Sequence, residues 1–308
     1  MSLWNHARAG IAYLLLFLNT LVLVIPLYAL TLLKILIPWQ PVQVRLARML
    51  VWIAELWCSI NNGIIALISR PRWHLEIDAE LRRDRWYLVT ANHQSWADIL
   101  ILQRFCNRRI PLLKFFLKQE LIRVPLLGQA WWALDFPFMK RYSKAELERN
   151  PELRGKDVET TRKACEKFAY FPTSVMNFFE GTRLTRAKQQ SQQSPFRHLL
   201  RPRAGGTAFT LNAMGGTLKR LLDVTIIYPP GTPRTLSAFL GGAVRDIRVI
   251  IRERTIPEWT WQGDYENDPD FRARMQEWIN GIWEEKDTLI EARLRASAST
   301  ADAGQGPA

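Results

Sequence analysis

Residues 9 to 33 carry no charged side chain, and that run limits the fold of this chain more than anything else in it. As a helix it would reach about 37 Å at about 1.5 Å per residue. A bilayer's hydrocarbon core is about 30 Å thick. Asn19, Thr20 and Thr31 are its clearly polar breaks, and Pro26 would kink the helix without forbidding it. The run is too long for a cleaved signal peptide, and no small-residue cleavage site follows it. Trp4 and Trp39 bracket it as interfacial aromatics do. The expectation is a membrane-inserted helix. Arg8 alone precedes the run, whereas Lys34, Arg45 and Arg48 follow closely, which places its C-terminal side in the cytoplasm.

A second apolar stretch, Leu46 to Ser69, is interrupted by Arg48, Glu55, Asn61 and Asn62. Its apolar residues Leu46, Met49, Leu50, Ile53, Leu56, Trp57 and Ile60 recur at helical spacing. It reads as an amphipathic or re-entrant helix at the interface. The alternative is a second full span, which would return the chain to its starting side. Residues 1–72 are therefore expected to form an N-terminal membrane anchor of one helix or a helix pair.

From about Arg70 the pattern is that of an α/β domain. Strands are predicted over Trp86 to Ala91, Ser174 to Phe179, Val224 to Tyr228 and Ile247 to Ile251. Helical patterns lie between them, over Ala97 to Phe105, Val158 to Tyr170 and Gly206 to Ala213. Such alternation predicts a central, largely parallel or mixed sheet flanked by helices. Phe271, Met275, Trp278, Ile282 and Leu289 outline one face of a C-terminal helix. The catalytic domain is expected over 73–295, with a disordered tail of small residues over 296–308.

Composition narrows the class. With 48% hydrophobic and 23% charged residues, the chain is not a disordered one. Three cysteines without a CxxC pair support neither a disulfide framework nor a zinc site. The 42 Lys and Arg exceed the 29 Asp and Glu by 13, which calls for an anionic partner. No GxSxG, P-loop, GxGxxG or HExxH motif occurs, which removes the usual hydrolase, nucleotide-binding and zinc-protease readings.

Two constellations at strand ends could carry chemistry. The first is Asn92-His93-Gln94-Ser95-Trp96-Ala97-Asp98. Five helical residues turn about 500°, so His93 and Asp98 would not share a helix face. They can meet if His93 sits in the loop and Asp98 in the first turn of a helix capped by Ser95. Asp98 would then fix one imidazole nitrogen and leave the other as a base. Taken alone, the pattern is more simply a plain capping box with His93 an ordinary loop residue. The second is Phe178-Phe179-Glu180-Gly181-Thr182-Arg183, where the glycine permits a tight turn and the arginine offers a planar fork for phosphate. A charged surface turn is the plainer alternative. The stretch Pro125 to Phe138, with Trp131, Trp132 and Phe136, either lines an acyl groove or packs in the core.

Taken in order, Asn-His-x-x-x-x-Asp, then Phe138-Met139-Lys140-Arg141, then Phe-x-Glu-Gly-Thr-Arg, then a Pro-containing strand end at Ile226 to Pro230, the chain resembles the PlsC-type glycerolipid acyltransferases. The segments KFFLKQEL, WALDFPFMKRYS and RGKDVETTR look closest to bacterial YihG-type membrane acyltransferases. The resemblance implies the glycerolipid acyltransferase fold and transfer of a fatty acyl group from acyl-CoA or acyl carrier protein to the free hydroxyl of lysophosphatidate. His93 would be the general base and Asp98 its orienter. Glu180, Gly181, Thr182 and Arg183 would hold the acceptor phosphate with help from Arg141. Lys118 would stabilise the oxyanion or support the site. No metal or cofactor is implied beyond the thioester co-substrate. The resemblance also implies a bacterial inner membrane location, with the catalytic domain facing the cytoplasm.

Two departures bear on the acceptor. Pro229-Pro230 lacks the aliphatic residue that often follows the proline, and Arg203-Ala204-Gly205 stands where Lys-x-Gly is common. The first alternative is thus the same chemistry on another lysophospholipid. The second is a membrane-anchored binding protein for nucleic acid, suggested by the basic charge and 13 tryptophans. Basic residues spread through every segment argue against that reading, since nucleic-acid binders concentrate them on one element. No nucleic-acid partner is expected.

Overall fold

The computed structural model describes residues 2–139 and 171–303 together with Arg149 and Phe168. Helix α1 spans Leu3–Leu36 and α2 spans Gln40–Ile68, joined by three residues into an antiparallel hairpin. The polar breaks in the apolar run are all answered within the protein. Thr20 and Thr31 donate to the carbonyls of Leu16 and Leu27 one turn back, at 2.9 and 2.7 Å. The Asn19 amide donates to Asn61 Oδ1 at 2.8 Å and to the Trp57 carbonyl at 3.1 Å. Trp57 Nε1 returns a bond to Thr20 Oγ1 at 3.0 Å. Glu55 is buried against Arg83 at 2.5 Å. α2 runs unbroken and starts earlier than expected, helped by a proline in its first turn. Both helices are long and apolar enough to cross a membrane by length and composition.

The hairpin is fastened to the rest of the chain at both ends. Near its start, Arg8 bonds the Ile68 carbonyl within the helix pair, and Tyr13 reaches beyond the pair to Ser237 at 3.1 Å. Farther along, Tyr28 donates to the Leu126 carbonyl at 2.8 Å, and Lys34 pairs with Asp135 at 3.4 Å. Between these ties, Leu14, Val22, Ile25, Leu32 and Leu36 remain exposed.

Strands β1 (Arg72–Asp78), β2 (Tyr87–Ala91), β3 (Leu113–Phe115), β6 (Ser174–Met176), β7 (Arg220–Ile227) and β8 (Asp246–Thr255) form one sheet in the order β1-β8-β7-β2-β6-β3. Every neighbouring pair is parallel except β7 with β8, so the sheet is mixed, as the alternation predicts. β4 (Leu117–Lys118) and β5 (Phe138–Met139) make a separate parallel pair. β2 is buried along its whole length and sits centrally, which is why its end is the place for a site.

Alternate residues of β2 and β7 feed two cores. Tyr87, Val89 and Ala91 pack with Ala9 and Ala12 of α1, with α3 (Ala97–Cys106) and with α7 (Leu236–Leu240). Leu88 and Leu221 pack on the other face with α6 (Ala204–Met214) and α8 (Pro269–Ala303). The short α4 (Leu127–Ala133) lies in the stretch from Pro125 to Phe138. There Ala133 and Leu134 pack on Leu27, Leu50, Ile53 and Ala54, so this stretch closes against the helix pair.

Two expectations change. The C-terminal helix continues through Ala303, past the tail expected from 296, because the chain there is rich in alanine and meets no glycine or proline before Gly304. The strand from Ser174 ends at Met176, since the chain turns at Gly181 to bring Glu180 inward. The helix expected over 158–170 lies outside the described residues, Phe168 excepted.

Candidate active site

The site is built on the loop that leaves β2. Asn92 continues the ladder with its side chain: its amide donates to the Ile226 carbonyl and its Oδ1 accepts from the Ile226 N–H, both at 2.8 Å. The next residue is thereby fixed at the strand end. His93 Nδ1 lies 2.9 Å from Asp98 Oδ2, and both side chains are buried. The same carboxylate oxygen accepts the backbone N–H groups of Gln94 at 2.6 Å and Ser95 at 2.8 Å. Trp96, rather than Ser95, stands at the helix cap, and Ser95 Oγ accepts the Ala97 N–H at 3.1 Å. Asp98 therefore performs both tasks that the sequence left as alternatives. It closes the helix N-terminus and it holds the imidazole.

Residues distant in sequence complete the setting. Tyr228 donates to Asp98 Oδ1 at 2.6 Å, so both oxygens of the buried carboxylate are engaged. Burial, and then the Asp98 charge, hold the Tyr228 phenol far above its usual range, which keeps it a donor. The His93 ring stacks on Phe178 with centroids 4.1 Å apart and 15° between planes. The Leu184 N–H donates to the His93 carbonyl at 2.7 Å, which ties the loop after β6 to the loop after β2. An imidazole bonded to carboxylate through Nδ1 has Nε2 left to accept a proton.

The Glu-Gly-Thr-Arg turn divides into inward and outward parts. Glu180 is buried, and its Oε1 accepts the His93 N–H at 3.3 Å. Burial pushes its carboxyl up to about 8, with the Asp98 charge adding to that and the His93 and Leu200 amides and Lys286 opposing it. Among the expected phosphate-binding residues that the structure describes, Glu180 is the one it buries, against the backbone of His93. Gly181 has φ +65, a conformation that favours glycine, and its N–H closes the turn on the Phe178 carbonyl at 2.9 Å. Thr182 Oγ1 accepts from Lys188 at 2.6 Å. Arg183 faces outward, its guanidinium 4.6 Å from the centre of the exposed Trp96 ring.

Lys118 is exposed at the end of the small β4–β5 pair, and no bond joins it to the dyad among the described residues. Arg141 lies outside the described residues. No cluster of three or more His, Cys, Asp or Glu with metal-holding geometry occurs among them either. The partners that sequence reasoning missed are Asn92, Phe178 and Tyr228. Each lies inside one of the motifs above, yet contact across more than 80 residues leaves no local spacing that assigns its role.

The Acyltransferase family model matches residues 72–229, just over half of the chain, and the match contains the dyad, the Glu-Gly-Thr-Arg turn and Tyr228. The chain belongs to the Acyltransferase family. Among relatives of this acyltransferase, mouse 1-acyl-sn-glycerol-3-phosphate acyltransferase gamma is 26% identical over 216 residues, covering 66% of this chain and 52% of the relative. An uncharacterized acyltransferase of Saccharomyces cerevisiae is 29% identical over 238 residues, covering 66% and 58%. The acyltransferase thus spans about half the length of the curated relatives it matches. Its fold is similar to the crystal structure of the 1-acyl-sn-glycerophosphate acyltransferase PlsC from Thermotoga maritima. The TM-score is 0.52 at 17% identity, over 92% of this chain and 98% of that one.

Proposed function

We propose that this acyltransferase moves a fatty acyl group from a soluble thioester, acyl-CoA or acyl carrier protein, to the free hydroxyl of lysophosphatidate, making phosphatidate. The observation that carries the reading is the buried His93–Asp98 pair, with Asp98 held from both sides by Tyr228 and two backbone amides. His93 Nε2 takes the hydroxyl proton as the oxygen attacks the thioester carbonyl. The tetrahedral intermediate expels the thiolate, which recovers that proton from the imidazolium. One ester and one thiol result, and no acyl group rests on the enzyme. Asp98 offsets the transient imidazolium charge. Positioned base catalysis of this kind contributes about 10² to 10⁴ in rate.

Arg183, displayed on Trp96 beside the dyad, receives the acceptor phosphate, and the Gly181 turn keeps that side open. The similarity of the quoted segments to YihG-type enzymes favours a bacterial inner-membrane enzyme that faces the cytoplasm. The helix pair supplies the anchor. Because α1 is tied to the domain at both ends, it carries its exposed apolar face into lipid together with the adjoining domain surface. The lysolipid tail then stays in the membrane while its head group rises to His93.

Membranes containing the protein, given labelled oleoyl-CoA and lysophosphatidate, lysophosphatidylglycerol or lysophosphatidylethanolamine in turn, test the acceptor. Phosphatidate as the main product is expected. Transfer to another lysolipid alone would move the acceptor, as the Pro229-Pro230 departure allows, and keep the chemistry. Transfer to none, with acyl carrier protein also tried as donor, would overturn the reading.

A further inference from the structure

A cavity of about 200 Å³ opens beside the dyad, with Gln94 and Tyr228 on its inner side. Arg186 of α5 (Arg186–Ser191) and Arg234 of the loop after β7 line it, and Ile290 and Leu294 of α8 close it. Its basic groups are not equivalent. Arg197 and His198, also in the lining, share Glu291 at 2.8 and 2.7 Å, and their backbone N–H groups are taken by Asp287. Arg186 and Arg234 have no ion-pair partner among the described residues. They are the charges a ligand would meet.

A second, independent observation points the same way. Gln94 is only 8% exposed, lines the cavity, and its side-chain oxygen has no hydrogen-bond partner among the described residues. A buried amide left unpaired is costly unless a bound molecule completes it. An amide and two guanidinium groups suit one chemistry: a phosphate ester whose chain carries amides of its own.

Position tells which substrate brings that chemistry. Ile290 and Leu294 of α8, on the face of the sheet opposite α1 and its exposed apolar residues, close the cavity, while Tyr228 from the α1-side core and Arg234 line the rest of it. Arg183 sits on Trp96, at the start of α3, which packs on the α1 face of the sheet. A reaction between two phosphate-bearing molecules needs two anion sites, and Arg183 and Arg186 flank Leu184, whose N–H bonds the His93 carbonyl.

We propose that the Gln94–Arg186–Arg234 cavity binds the phosphorylated, amide-containing arm of the soluble acyl thioester. Arg186 and Arg234 would take its phosphate and Gln94 one of its amides. The assignment rests on the proposed acyl transfer, and the test separates the two. Equilibrium dialysis of labelled CoA against the full chain in detergent micelles needs no turnover. It is paired with KM values for oleoyl-CoA and lysophosphatidate. The variants are Arg186→Gln with Arg234→Gln, and the corresponding pair of lysine substitutions.

The glutamine pair is expected to weaken CoA binding about tenfold or more and raise the oleoyl-CoA KM in parallel, with the lysine pair recovering part of the loss. Displacement by phosphopantetheine would assign the cavity to the arm common to CoA and acyl carrier protein. Displacement only by the adenosine bisphosphate half would overturn that assignment. A raised lysophosphatidate KM with CoA binding intact would make the cavity the lipid phosphate site and refute the proposal. Acyl transfer with both CoA affinity and donor KM unchanged in the glutamine pair would refute the cavity and leave the function standing. CoA binding that depends on the arginines in a protein that transfers nothing would do the reverse.

Discussion

At the scale of single residues, His93 is held through its ring, its backbone N–H and its carbonyl by three residues from two segments. Asp98 takes Nδ1, Glu180 takes the backbone N–H, and the Leu184 N–H takes the carbonyl. The Tyr228 bond to Asp98 adds a fourth, indirect hold. A hydrogen bond to a charged group contributes about 1.5–3 kcal/mol, and about 1.4 kcal/mol is tenfold in rate. Tyr228→Phe should therefore lower kcat by about tenfold or more and leave the acceptor KM within about twofold. An unchanged kcat would show that Asp98 is oriented without the phenol.

Glu180 gives a pH signature. Its folded-state value of about 8 lies above the ordinary 4.5, so the folded protein keeps a proton that the unfolded chain has already lost. The stability it contributes is complete below about 4.5 and is lost as pH rises to about 8. Thermal unfolding in detergent should thus fall in Tm across that window for the native chain and fall less for Glu180→Gln, whose amide can still accept the His93 N–H. Parallel profiles for the two proteins would mean that Glu180 is ionised throughout. The dyad was legible in sequence because a strand, a loop and a capped helix bring residues five apart together. The inward turn of Glu180 was not, since only the packed sheet and α8 decide that it is buried.

At the scale of elements, α8 is joined to the centre of the sheet by a buried cation. Lys286 is fully buried, pairs with Asp223 of β7, and donates to the Val224 carbonyl at 2.6 Å. Burial lowers its pKa while Asp223 opposes the shift. Arg254 of β8 also reaches Asp223, at 3.2 Å. The two partners are consequently unequal. Asp223→Ala strands a buried ammonium and should cost about 3–5 kcal/mol. Lys286→Met leaves Asp223 with Arg254 and should cost less. Denaturant unfolding of both variants checks the order, and an equal or reversed order would count against it. This layer was visible in sequence only as the apolar face of the C-terminal helix. Lys286 lies among charged residues there, and periodicity cannot show which of them turns inward. The edge strand β1 has a similar explanation, because its alternation of Trp73, Leu75 and Ile77 with charged residues is largely exposed.

At the scale of the whole molecule, the first apolar helix is tied to the rest of the chain through Tyr13 with Ser237, Tyr28 with the Leu126 carbonyl and Lys34 with Asp135. The uncharged run disclosed α1 at once, but the partners of Asn61 and Glu55 within α2, Asn19 and Arg83, lie too far away in sequence to be read from it. If the outer face of α1 lies in lipid, a carboxylate there should cost about 2.5–3.5 kcal/mol of insertion per residue near the bilayer centre. Val22→Asp with Ile25→Asp should accordingly shift the protein from floated vesicles toward the soluble fraction. Retention on the vesicles would place that face elsewhere.

The central claim is that His93 is the base of an acyl transfer. The measurement that reaches it most directly is phosphatidate formation from labelled oleoyl-CoA and lysophosphatidate by the native chain and by His93→Ala, at equal amounts of folded protein. The account predicts a clear product from the native chain and a loss of at least about 10² in the variant. Equal rates from the two would contradict it.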